Sequence, residues 1–109
     1  MNDRELADRI VALGVGVVAG WDDRDSVAGR VILYRIDGEL GQHPGPFVRD
    51  RRVAVALMEK MIAGELTIWR QAYDDDSPIW IVETHLTNAD GRDESLPRAI
   101  SEACVGALT

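Results

Sequence analysis

Leu6, Ile10 and Leu13 recur at helical spacing through the opening NDRELADRIVALG, with charged residues between them, so a first helix is predicted up to Gly14. Asn2 stands three residues before Glu5, the capping-box spacing at which side chains satisfy free N–H groups of the first turn. The next stretch, GVGVVAGW, holds Gly14, Gly16 and Gly20. It follows a helix rather than a strand and lacks the lysine of a phosphate-binding loop, so it reads as a helix exit and a short strand. WDDRDSVAG is turn-like, and the branched and aromatic run GRVILYRI predicts a strand over residues 30–36. Asp37-Gly38 then marks a turn. GELGQHPGPF, with two prolines and three glycines, is expected to be an irregular surface loop and, by its length, a candidate contact site.

A second helix is predicted from a cap at Asp50, with Val53, Ala54, Leu57, Met58, Met61 and Ile62 as its apolar stripe and Gly64 as its stop. The two methionines read as core fillers. Two strands follow, over residues 66–73 and 79–86, as a hairpin around Asp74, Asp75 and Asp76. A third helix begins near Ser95, where Pro97 is tolerated in the first turn, and buries Leu96, Ile100, Ala103, Cys104 and Ala107.

These elements make one α+β domain over residues 1–109, a small, mainly antiparallel sheet with helices packed on it. If Tyr73 pairs with Ile79, one hairpin face carries Leu66, Ile68, Trp80, Val82 and Leu86. The other carries Trp69, Tyr73, Ile79 and Ile81 beside Gln71 and Glu83. Both faces are too apolar for water. Either helices cover both, or the second face meets another chain, in the symmetric case as a homodimer.

Composition fits this picture. The chain has 109 residues, 46% of them hydrophobic and 28% charged. At this size folding buries roughly 65% of the unfolded surface, enough for one modest core. The formal charge of -7 disfavours direct nucleic-acid binding and suits a partner with a basic surface, besides aiding solubility. Cys104 is the one cysteine, and no apolar run approaches a membrane span. The acidic, polar opening lacks the pattern of a secretory signal, so a cytoplasmic setting is expected.

Candidate chemistry is sparse. Asp74, Asp75 and Asp76 are consecutive and lie between strands, unlike the alternating ligands of a calcium-binding helix–loop–helix, and read first as a turn. With Asp22, Asp23 and Asp25, and with Asp90, Asp93 and Glu94, they form three acidic groups able to imitate a nucleic-acid backbone if they share a face, and otherwise serving as solvated surface. His43 and His85 have no zinc-type spacing around them, and no serine sits in a Gly-x-Ser-x-Gly elbow. No catalytic residue, metal or cofactor is expected. Cys104 falls on the buried stripe, away from the open, thiolate-stabilising site of a reactive cysteine.

Three segments, NDRELADRIVALGVG, FVRDRRVAVALMEKM and RDESLPRAISEACVGAL, resemble the small phage and prophage proteins of the phage ABA sandwich domain family. The likeness covers the three predicted helices, over a third of the chain, and leaves out the middle from Trp21 to Pro46. It implies a helix/sheet/helix sandwich, a phage or prophage origin and action in the bacterial cytoplasm, and it carries over no catalytic residues. The expectation that follows is a non-enzymatic, phage-encoded binding protein that inhibits a host defence complex, as anti-CRISPR proteins do, by occupying a nucleic-acid channel with its acidic groups. Trp21, Trp69 and Tyr73 would be its aromatic anchors. The alternative is a homo-oligomeric phage accessory protein without inhibitory role.

Overall fold

Asn2 caps helix α1 (Asp3–Ala12) by accepting from the Glu5 N–H at 2.8 Å, and its side-chain amide donates to the Glu5 carboxylate at 3.1 Å. The chain turns at Gly14 and Gly16, both at positive φ, where a side chain is strained. A Cβ on Gly16 would also fall 2.8 Å from the Arg35 carbonyl and 2.9 Å from the Phe47 ring, so only glycine lets the strand hairpin reach the core. That hairpin pairs β1 (Val17–Asp22) with β2 (Val31–Arg35), antiparallel, with a bulge between Val18 and Gly20. In this computed structural model the described residues are 1–23, 30–61, 65–72, 78–85 and 87–109.

The segment expected to be an irregular loop is partly regular. Tyr34 and Gln42 exchange backbone hydrogen bonds of 2.7 and 2.8 Å, and a short helix, α2 (Pro44–Val48), follows. Proline is at home in a helix's first turn, where no N–H is needed, and Phe47 and Val48, both fully buried, supply the driving force. The glycines and prolines thus shape a tight path across the core instead of releasing the chain to solvent.

Asp50 caps α3 (Arg51–Lys60), accepting from the Arg52 N–H at 2.9 Å while the Arg52 guanidinium clamps the same carboxylate through Nε at 3.0 Å and Nη2 at 2.6 Å. Val53, Ala54 and Leu57 are buried, and Met58 and Met61 pack partly buried against them, as the apolar stripe predicts. Ile62 and Gly64, expected at this helix's end, lie outside the described residues.

Strands β3 (Leu66–Gln71), β4 (Ile79–Thr84) and β5 (Asp90–Asp93) form a second antiparallel sheet in that order. Ile79 pairs with Gln71, not with Tyr73. The register therefore differs by two residues from the expected one, a shift that keeps every described side chain of the two strands on its predicted face. Strand β5, absent from the sequence-based expectation, reads Asp-Gly-Arg-Asp, without a β-branched residue. Packing selects it. A Cβ on Gly91 would lie 1.9 Å from the Ala99 carbonyl oxygen of helix α4 (Leu96–Leu108), so the absent side chain lets strand and helix touch backbone to backbone.

The class is the expected α+β, with antiparallel sheets and helices packed on them, although the described strands form two sheets rather than one. Helix α4 is the central element. It lies on the Val82 and Gly91 face of the three-stranded sheet, packs against α1 and α3, and contributes Ala99, Ala103, Cys104 and Val105 to the core. Tyr34, stacked on Phe47 at 5.2 Å, donates its hydroxyl to the Asp8 carboxylate and so joins β2 to α1.

Candidate functional site

In the three-stranded sheet the pleat sends Leu66, Ile68, Trp80, Val82 and Gly91 toward the side that meets α4. Trp69, Gln71, Ile79, Ile81, Glu83 and Arg92 point to the opposite, outer face. There Trp69 lies across from Ile81, Ile81 from Arg92, and Gln71 from Ile79. Trp69 and Ile79 are more than a third exposed, while Ile81 is buried yet stands apart from the main core. An open groove of about 730 Å³ runs from Gln71, Ile79, Ile81 and Arg92 to Asp93, Glu94 and Ser95 before α4, with Arg49 on its rim.

Local bonds hold the rim in place. The Ser95 hydroxyl caps α4, and the Ser95 N–H donates to the Asp93 carboxylate at 2.8 Å. Arg92 reaches Asp90 at 3.2 Å, and Arg49 donates to Asp3 at 2.8 Å and to the Gly45 carbonyl at 3.1 Å. Asp93 also lies 3.4 Å from Arg98, whose side chain is buried among three carboxylates. The groove has an apolar floor of Ile79 and Ile81 and a rim of both charges, on which Arg49, Arg92, Asp93 and Ser95 are held by bonds within the chain and Glu94 is exposed. That arrangement suits contact with a surface more than chemistry on a small molecule.

The expected binding residues divide. Trp69 is on the outer face. Trp21, 58% exposed, is on β1 in the other sheet, where its indole donates to Asp23 at 3.2 Å and the Arg30 guanidinium lies 5.1 Å from its ring centroid. Arg30 and Asp23 are themselves 3.2 Å apart, which closes a triangle and fixes the indole. Asp22 is turned inward, 8% exposed, 3.4 Å from the His43 ring. Asp25, Tyr73, Asp74, Asp75 and Asp76 lie outside the described residues, as does Leu86 of the predicted second strand. Of the third acidic group, Asp90 pairs with Arg92 and Asp93 with the buried Arg98, and Glu94 is exposed on the groove's rim.

Arg49 and Arg92 were not legible as site residues. One follows a helix that the proline content hides and the other belongs to a strand without strand-forming side chains. Among the described residues no group of three His, Cys, Asp or Glu is placed to hold a metal, and no helix is long and apolar enough to cross a membrane. Burial pushes the Cys104 thiol up to about 11. Compared with family models, curated proteins and solved structures, the chain matches none.

Proposed function

We propose that the protein is a non-enzymatic binding protein that acts by occupying a surface of another macromolecule, with the outer face of the three-stranded sheet as its contact surface. One observation carries this reading. Trp69 and Ile79, both partly exposed, stand on that face around an apolar floor, and Arg49, Arg92 and Glu94 ring it. A hydrophobic centre with a polar rim is the usual layout of a protein–protein contact, and tryptophan is the commonest anchor in such centres.

The partner we favour is a host protein complex with a basic surface, and the role an inhibitor of a bacterial defence complex, encoded by a phage and acting in the cytoplasm. The net charge of -7 supports a basic partner, and the resemblance of the helical segments supports the phage setting. Charge mimicry in this reading rests on Asp25, Asp74, Asp75, Asp76 and Glu94, since Asp22, Asp23, Asp90 and Asp93 each have a cationic or imidazole neighbour within the chain. Tagged protein incubated with lysate of a defence-competent bacterium should retain a nucleic-acid-handling complex at low salt and release it at high salt. It should also block nucleic-acid binding by that complex. Retention unchanged by Trp69→Ser, in a variant that still folds, would contradict the assignment of the surface.

The competing reading, a homo-oligomeric accessory protein, is favoured by the edge of β3, which no strand meets among the described residues.

A further inference from the structure

The strand edges differ in how they are guarded. Strand β2 is closed by Gln42, β1 is broken by its bulge at Val18 and Gly20, and β5 is four residues long with charged Asp90 and Arg92 at its outward positions. Each is a recognised way of blunting an edge. Strand β3 has none of them. Its six residues pair with β4 without interruption, and among the described residues no strand meets its other side.

Which backbone groups face that side follows from one bond. The His85 N–H donates to the Glu65 carbonyl at 3.3 Å, so Glu65, and at alternate positions Thr67, Trp69 and Gln71, spend their N–H and C=O on β4. Leu66, Ile68 and Arg70 therefore turn theirs to the open edge. Ile68 and Trp69 are also 41% and 38% exposed, one on each face of the strand. Arg70, the only charge within the strand, is drawn back over its own sheet, its guanidinium 5.6 Å from the Trp80 ring centroid.

We propose that β3 pairs antiparallel with β3 of a second copy of this chain, with Ile68 on the two-fold axis. A two-fold perpendicular to a sheet keeps its faces, so each residue must meet one of the same parity. Of the registers this permits, only the one centred on Ile68 sets all three outward residues against outward residues. Leu66 then faces the second copy's Arg70, Ile68 faces its counterpart, and Thr67 lies beside the second copy's Trp69. No like charges oppose one another, and the two outer faces join into one continuous sheet surface. A single strand pair lies at the small end of specific interfaces, so the dimer forms at high concentration and dissociates on dilution.

The inference stands independently of the partner proposed above. Sedimentation across about a hundred-fold range of concentration should show the mass rising from 12.0 kDa toward twice that value. Ile68→Lys, which places two ammonium groups together on the axis, should stay monomeric throughout with an unchanged circular dichroism spectrum. Ile68→Cys should cross-link to itself under mild oxidation, whereas Val55→Cys, equally exposed on α3, should not. The proposal is overturned if the wild type keeps its monomer mass at every concentration, if Ile68→Lys dimerises like the wild type, or if Ile68→Cys cross-links no better than the Val55 control.

Discussion

Asp3 and Arg98, 95 positions apart in the chain, meet through a 2.8 Å bond between the arginine Nε and the aspartate Oδ1. The same guanidinium donates to Glu102 at 2.9 Å and to the Met1 carbonyl at 2.9 Å, and lies 3.4 Å from Asp93. The start of α1, the end of β5 and the first turns of α4 are thus tied to one buried cation. Asp3 in turn bonds Arg49 at 2.8 Å, which links this hub to the rim of the groove.

Replacing Arg98 with methionine leaves the three carboxylates without their shared partner. Removing one member of a fully buried ion pair costs about 3 to 5 kcal/mol. These carboxylates keep part of their hydration, so a loss of roughly 2 to 3 kcal/mol is expected in urea unfolding.

The hub also gives a pH dependence. Burial alone would raise the Asp3 carboxyl, but the hydrogen bonds from Arg49 and Arg98 outweigh it and hold it below the ordinary aspartate value. Asp50 is likewise lowered, chiefly by the Arg52 hydrogen bond. A carboxylate lowered on folding stabilises above its unfolded value, about pH 4, and that stabilisation disappears as the pH falls through the folded value. Thermal unfolding should therefore show Asp3→Asn less stable than the wild type near neutrality, with the gap closing below about pH 4.

Gly91→Ala should be among the most damaging single substitutions, because the added methyl meets helix backbone, which cannot swing aside. A cost at or above about 3 kcal/mol is expected, the upper range for overpacking. Chemical denaturation checks this, and Gly20→Ala does not share the steric cause, since a Cβ there meets nothing within 4 Å.

Cys104 should be silent toward thiol reagents in the folded protein. With its thiol pushed to about 11 by burial, the thiolate fraction near pH 8 is on the order of a thousandth, and the sulfur is closed off. Labelling by a disulfide reagent should follow global unfolding in urea, and rapid labelling of the native protein would contradict the core placement.

The helices were legible because local and tertiary signals agree in them: Asn2, Asp50 and Ser95 cap where the spacing says, and Leu6, Ile10, Val53, Leu57, Ile100 and Cys104 are buried on the predicted stripes. Strand β5 and helix α2 were hidden for a common reason. Their local chemistry argues against regular structure, and contacts made elsewhere in the chain, Gly91 with α4 and Phe47 with Tyr34, reverse it. For the site, the hairpin alternation was enough to set Trp69, Ile79 and Ile81 on one face. Pairing of Asp22 with His43 and Asp3 with Arg98 depends on where distant segments fold, which a run of acidic letters does not reveal.

The most direct test of the binding surface is retention of the host complex by wild-type protein, a Trp69→Ser/Ile79→Ser variant and a Val55→Ser variant, compared side by side after equal folding is verified. Loss of retention in the double variant alone is the result this account predicts. Equal retention by all three would contradict it and move the contact away from the outer face of the sheet.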